Sequence, residues 1–337
     1  MIEVAFLNVA NADSVVVYNI KSTGAVIDVP KPRLVSNWFR QRDCTHIEYL
    51  FLTHSHNDHA PSLPELINFL VDWLKSGTVK YLILPRTYLD KAFVQAQDIE
   101  RPAGKQYRHA LDALEAMLDR RQLIIVPAEQ SITTPTMDEV IFQILYPSVL
   151  DAVPTKGNEN ALSLVLQLKY GAFTMLLPAD IDGIGLTKLL KRNENLHSHV
   201  VKIPHHGAWP RHSEENWRQL LDNSDPELAV LSVGSRNSYE HVKPELFQEL
   251  WSRQQSPNTR LKKFVCTEVT RTCVFTARIR GQMGSKGLVQ RRACGGDITI
   301  TANKDGSWTF LNEQEHMTYL KSVEMPACLG KADLESQ

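Results

Sequence analysis

Short apolar runs recur along the chain, separated by turn-forming residues and by stretches with helical spacing. Residues 2–8 and 14–20 read as strands, split by the turn-prone stretch 8–14. A third strand, 24–27, ends at Asp28 just before Pro30 and Pro32. The spacing predicts a helix over 33–42, with Trp38 and Phe39 in the core, and an amphipathic helix over 63–75. Residues 80–84 form a buried strand ending at Pro85, and 87–120 is helical with a break at Pro102-Ala103-Gly104. Strands follow at 123–126 and 140–146. A hairpin of two buried strands then turns at Gly171, and its second strand ends in Asp180. A helix at 184–193, strands at 200–203 and 229–234 and a helix from about 244 to 254 come next. Residues 297–310 read as a hairpin around Asp305-Gly306, and the tail beyond 315 is weakly patterned and expected to be partly loose. Strands, helices and strands in this order predict an α+β protein with helices layered on sheets.

The chain has 337 residues, enough for one large domain or two small ones. A net charge of −1 offers nothing global to nucleic acid or a membrane. Five cysteines, odd in number, widely spaced and without a CxxC pair, fit a reducing compartment, so a cytoplasmic location is expected. The first six residues read as a strand and not as a secretory leader, and no apolar run approaches the length of a membrane span. The charge is uneven, however. Residues 259–292 carry Arg260, Lys262, Lys263, Arg271, Arg278, Arg280, Lys286, Arg291 and Arg292 against Glu268 alone. That is either the solvated face of exposed strands or a track for a phosphate backbone.

The most informative stretch is Thr53-His54-Ser55-His56-Asn57-Asp58-His59, placed between an apolar strand and a helix. Three imidazoles and a carboxylate so close together repel or desolvate one another unless a cation sits among them. His54 and His56 fall on one side of an extended segment, while Asp58 and His59, past the bend, can face a second point. Two divalent cations side by side fit that spacing. Asp28, at a strand tip, either starts a loop or orients a ligand. Asp180 can bridge two ions, or cap the helix that follows together with Asp182, and the two roles are compatible. The pair His205-His206 at another strand end predicts one ligand, with the other a general acid or a phosphate contact. His241 is a phosphate donor or an ordinary turn residue. His109 is read as a surface or core histidine, and His197 and His199 as surface residues.

In order, Asp28, His54-x-His56-x-Asp58-His59, Asp180 and His205-His206 resemble the motifs of the metallo-β-lactamase superfamily. Finer matches resemble the hydrolase domain of the competence protein ComEC. They are Phe6-Leu7-Asn8-Val9-Ala10-Asn11-Ala12-Asp13-Ser14, Asn160-Ala161-Leu162-Ser163-Leu164-Val165-Leu166, Lys202-Ile203-Pro204-His205-His206-Gly207, and Ser232-Val233-Gly234 with Asn237, Tyr239, His241 and Pro244. The likeness runs from residue 1 to about 267. It departs at Ala10 and Ala12, which replace glycines, at Ala60-Pro61, where Gly-Gly is usual, and at Asn160, where most members place a third histidine.

The resemblance implies a four-layer αβ/βα fold, two mixed sheets between helices. The hydrolase core would be 1–258, a basic β-rich extension completing or flanking it 259–314, and a tail 315–337. It implies two divalent ions, Zn²⁺ or Mn²⁺ with Mg²⁺ possible, the Asn160 amide making a harder site than a third imidazole. His54, His56 and Asn160 would hold one ion, Asp58, His59 and either His205 or His206 the other, and Asp180 both. Asp58, Asp28, His206 and His241 form the expected catalytic set, with Arg260, Lys262, Lys263 and Arg271 on substrate phosphates. The implied activity is a DNA nuclease working through metal-activated water. Alternatives are a small-molecule phosphodiesterase, a lactone or thioester hydrolase, or a metal-binding effector subunit that needs a protein partner. The membrane channel of the competence protein has no counterpart in the chain.

Overall fold

In the computed structural model the described residues are 1–19, 21–128, 134, 136–152, 158–193, 195–210, 212–270, 273–275, 283–284, 287–288, 291–320, 323–325 and 327–328. Two mixed sheets face each other. The eight-stranded sheet runs, edge to edge, Trp308–Phe310, Ile298–Ala302, Ile2–Phe6, Val15–Asn19, Thr23–Ile27, His46–Phe51, Thr78–Leu84 and Ile124–Pro127. The six-stranded sheet runs Lys263–Cys266, Leu228–Leu231, Val200–Lys202, Phe173–Leu177, Val165–Tyr170 and Val140–Tyr146. Each sheet is antiparallel on one side and parallel on the other.

The strands carry apolar residues on both faces because each sheet is covered on both faces. Val4, Phe6, Val17, Phe51, Phe142, Leu166, Met175, Val230 and Ile300 fill the space between the sheets. Helices Pro32–Arg40, Leu63–Trp73, Arg86–Ala96 and Pro102–Asp119 cover the outside of the larger sheet through Trp38, Leu66, Leu70 and Leu114. Helices Gly183–Arg192, Glu214–Ser224 and Pro244–Gln255 cover the smaller one through Leu186, Trp217 and Leu250. The layers are helix, sheet, sheet, helix, the α+β sandwich that the resemblance implies. No helix among the described residues is long and apolar enough to cross a membrane.

Two departures from the sequence reading have plain causes. The helix Glu214–Ser224 is missing from the expected elements because its other seven residues are polar or charged, although the buried Trp217, Leu220, Leu221 and Ser224 keep helical spacing. The tail, expected to be loose beyond 315, continues the helix Glu313–Leu320 and adds the strand Val323–Met325. His316, Leu320, Ala327 and Cys328 are buried and anchor it. Residues from 259 onward supply strands to both main sheets, at Lys263–Cys266 and Ile298–Ala302.

Candidate metal centre

The parallel strands bring the sequence-distant acids and imidazoles to one rim. Thr23–Ile27 and His46–Phe51 run side by side, so Asp28 and the 53–59 loop leave the larger sheet together. Phe173–Leu177, Val200–Lys202 and Leu228–Leu231 are likewise parallel neighbours, and Asp180, His206 and Ser232 follow their ends. The backbone bends sharply here: φ is positive at Asp28 (62°), Ala179 (49°), His205 (48°), His206 (52°) and Gly207 (81°). A non-glycine residue in the left-handed region is uncommon, and a cluster of four marks a rim held in place by its surroundings.

His59 and His206 are buried, and each is fixed by its Nδ1. His59 Nδ1 donates to Asp28 Oδ2 at 2.6 Å, and His206 Nδ1 donates to the Ser232 carbonyl at 2.9 Å. Asp28 is held in turn by the Thr53 backbone N–H at 2.8 Å and the Thr53 hydroxyl at 2.7 Å. Both Nε2 lone pairs therefore point inward, at the Asp180 carboxylate, with separations of 3.1 Å and 3.4 Å. Asp58 Oδ2 lies 3.5 Å from the same His206 nitrogen. Among the described residues His59 Nε2, His206 Nε2 and Asp180 Oδ1 are buried without a hydrogen-bond partner. Acceptors facing acceptors in a buried site require a proton or a cation between them. Divalent ions fit this donor set of imidazole nitrogens and carboxylates.

The electrostatics say the same. Burial opposes an imidazolium at His59, but Asp180 and Asp28 outweigh it and lift the pKa well above the histidine range. Burial also works against ionised Asp180, yet His206 and His59 hold it well below the usual carboxylate range. His54 behaves oppositely. Burial and then the charge of His59 push its pKa well down, which leaves a neutral ring suited to ligation. His54 Nε2 is 3.1 Å from His56 Nδ1, and these two with Asp58 form a second compact donor group.

His206, not His205, is thus the histidine placed among Asp58, Asp180 and His59. His205 is turned toward an open cleft of about 680 Å³, its Nε2 3.9 Å from Asp180. Asn160 also lines that cleft, its Oδ1 buried and without a partner among the described residues. Asp182 takes the helix cap, accepting from Ile184 N at 3.0 Å and Gly185 N at 3.1 Å, which leaves Asp180 to the centre. His241 stands one ring beyond His205, 5.7 Å between centroids, and burial with the charge of His205 lowers its pKa to about 4.

The sequence reading gave no role to two residues that belong here. Lys202 is 2% exposed, ion-pairs with Asp13 and lies 3.8 Å from Asp180 Oδ1. Asp13 approaches the Nδ1 side of both fixed imidazoles, 3.8 Å from His59 and 3.6 Å from His206. Asp13 offers a carboxylate oxygen within 4.8 Å of ligand atoms of His59, Asp180 and His206, so it belongs to the same buried donor cluster while its Oδ2 pairs with Lys202. A lysine between Val201 and Ile203 in a buried strand was the available signal.

Arg260, Lys262 and Lys263 do not flank the centre, whereas Arg291 pairs with Glu268 and donates to Asn8, beside the loops at the strand ends. Lys263 starts a strand whose far end, at Cys266, is level with Leu231 near the rim. From Glu227 to Ser232 the extended chain spans roughly 16 Å. At that distant end Arg260 and Lys262 both pair with Glu227, and Lys263 pairs with Glu313. The expectation of a phosphate track through Arg260, Lys262 and Lys263 is corrected by this placement. Arg271 lies outside the described residues, as do Arg278, Arg280 and Lys286.

No family model matches the sequence, and no curated protein matches it. Solved structures do. The chain is similar to a long form RNase Z from yeast, 10% identical over 79% of this chain and 40% of that one, with a TM-score of 0.44. It is similar to a diphosphatase from the PhnP family, 11% identical over 77% and 93%, TM-score 0.41. It is also similar to Tm1679, a metal-dependent hydrolase of the β-lactamase superfamily, 13% identical over 74% and 93%, TM-score 0.41. These are likenesses of backbone, and the residues above carry the chemistry.

Proposed function

We propose that the protein is a metal-dependent hydrolase of phosphodiesters, with DNA as its substrate. One observation carries the metal-dependent chemistry: two buried imidazoles, their tautomers fixed from behind by Asp28 and Ser232, aim Nε2 at the carboxylate of Asp180. His54, His56 and Asp58 would hold one ion and Asp58, His59 and His206 the other, with Asp180 between them. Bound divalent ions supply Lewis acidity and bring the pKa of water down from 15.7 toward about 7. The chain supplies the rest. Asp28 keeps His59 in the right tautomer. Lys202 holds a fixed positive charge beside Asp13 and Asp180. Burial lowers the pKa of His205 as well, so its cleft-facing ring is neutral at rest and is placed to pass a proton to a leaving oxygen once it has taken one up. His241 is neutral at neutral pH and supports His205 instead of acting as an acid.

The choice of phosphodiester, and of DNA, rests on the resemblance of four segments to the competence-protein hydrolase. The five free cysteines fit a cytoplasmic protein. A small phosphodiester is the second reading, favoured because Arg260, Lys262 and Lys263 are neutralised away from the centre. The purified protein is incubated with labelled single-stranded DNA, double-stranded DNA, RNA and a generic phosphodiester, with Mn²⁺, Mg²⁺ or Zn²⁺ in turn. Metal-dependent DNA cleavage that disappears in His56→Ala and Asp180→Ala is expected. Full activity in both variants would remove the proposal, and cleavage of the small ester alone would replace DNA with the second reading.

A further inference from the structure

We infer that Cys294, His316 and Cys328 form a second, separate metal site that takes a zinc ion. The three side chains come from a turn, from the helix Glu313–Leu320 and from the segment after the strand Val323–Met325. All are buried, with exposures of 1%, 2% and 4%. Cys294 Sγ is 3.4 Å from His316 Nε2, Cys328 Sγ is 3.6 Å from the same nitrogen, and the two sulphurs are 3.9 Å apart. Zinc bonds of about 2.3 Å to sulphur and about 2.1 Å to nitrogen, at tetrahedral angles, require about 3.8 Å between sulphurs and about 3.6 Å from sulphur to nitrogen. The triangle already has those dimensions. Among the described residues His316 Nδ1 is buried without a partner, and the ring's polar contacts there are with the two sulphurs. The thiols are free, and two thiols with one imidazole make a soft donor set that selects zinc over the harder divalent ions. Cys266 and Cys273 are buried in the same core cluster, so a further thiol of suitable chemistry is at hand for the fourth position.

The site would tie the C-terminal segments to the smaller sheet. Cys294 N–H donates to the Thr267 carbonyl at 3.0 Å, and Gly295 N–H to the Cys266 carbonyl at 2.7 Å. Thr267 Oγ1 in turn donates to the Val233 carbonyl and accepts from the Val233 N–H, both at 2.9 Å. Val233 adjoins Ser232, whose carbonyl fixes His206. The ion would thus be structural, closing three chain segments separated by many residues, as zinc does in small closed sites.

Cobalt distinguishes this site from the centre at the strand tips, because that centre contains no cysteine. The full chain, reduced under anaerobic conditions, is loaded with Co²⁺ and its near-ultraviolet spectrum recorded. A thiolate-to-cobalt charge-transfer band is expected in the unaltered protein and in Asp180→Ala. It should be displaced by about one equivalent of zinc, lost in Cys294→Ser and in Cys328→Ser, and kept in Cys44→Ser. The unaltered protein decides the matter even if the cysteine variants fail to fold. Absence of the band with all thiols titratable would overturn the site, as would its persistence in both cysteine variants. A Cys294–Cys328 disulfide found in freshly purified protein would overturn it as well.

Discussion

His59 Nδ1 donates to Asp28 Oδ2 across 2.6 Å, and that hydrogen bond decides which nitrogen of the ring is left facing Asp180. Asp28 is 1% exposed and is spoken for on every side by Thr53 and His59. Asp28→Asn puts an amide where a carboxylate accepts three hydrogen bonds, so the ring is free to flip or change tautomer. Metal affinity and activity are expected to fall about 10- to 100-fold with little change in fold. A competitive metal titration and a circular dichroism spectrum check both halves. Unchanged affinity would remove Asp28 from the site.

His205 and His206 are adjacent in sequence and differ in placement. His206 is buried against Asp180 and Asp58, whereas the His205 side chain is 30% exposed and faces the cleft. His206→Ala should therefore lose one bound ion, measured as metal content after dialysis. His205→Ala should keep its metal and lose activity by a factor on the order of 10²–10⁴, as removal of a proton donor does. The reverse pattern of metal loss would exchange the two assignments.

Lys202 and Asp13 are both almost fully buried and form an ion pair. Breaking a buried pair leaves an uncompensated charge, which costs about 3–5 kcal/mol. Lys202→Met should lose that much in urea unfolding of the chelator-treated protein. Lys202→Met combined with Asp13→Leu should recover most of it, because neither charge remains. If the double variant is as unstable as the sum of the singles, the two residues do not compensate each other.

The strands and the ligand loops were legible because buried parallel strands are continuous apolar runs and the polar ligands interrupt them at their tips. Asp28, Asp180 and His205-His206 announced themselves as polar residues ending such runs. What the sequence could not give was depth. Which of two adjacent histidines turns inward depends on left-handed backbone at both residues, and no periodicity encodes that. Asp13 was hidden in a turn, and Lys202 is legible only once its acidic neighbours are known. The run of basic residues misled for a related reason. Charge density along a chain is visible, but Glu227 and Glu313, which neutralise Arg260, Lys262 and Lys263, come from elsewhere in the fold. The thiol–imidazole cluster was invisible because its members lie more than ten residues apart.

Arg260 and Lys262 share Glu227, and Trp308 Nε1 also donates to it at 3.2 Å. These contacts tie both residues to the fold. Arg260→Ala with Lys262→Ala should leave catalytic efficiency and its salt dependence unaltered and cost no more than about 1–2 kcal/mol of stability, as partly exposed pairs do. Two lost phosphate contacts would instead reduce the slope of log affinity against log salt by about 2. A slope change of that size would return these residues to the substrate.

His241 gives the folded protein a pH dependence that can be isolated. Burial, with the charges of His205 and His206, brings its pKa down to about 4, against about 6.5 for a histidine in the unfolded chain. Above pH 6.5 the ring is neutral in both states and contributes nothing. Between 6.5 and 4 the unfolded chain takes up a proton that the folded one refuses, so stability falls as pH falls. Below 4 both states are protonated and the loss is complete, up to about 3 kcal/mol. In His241→Gln the backbone contact from His241 N–H to Asn237 Oδ1 at 3.0 Å is kept while the titrating ring is gone. Denaturant unfolding of the chelator-treated proteins at pH 7 and pH 4 compares the two directly. The variant should lose about 2–3 kcal/mol less than the unaltered chain over that interval. Equal losses would mean that the ring is protonated in the folded state near its ordinary pKa, and His241 would then be available as an acid after all.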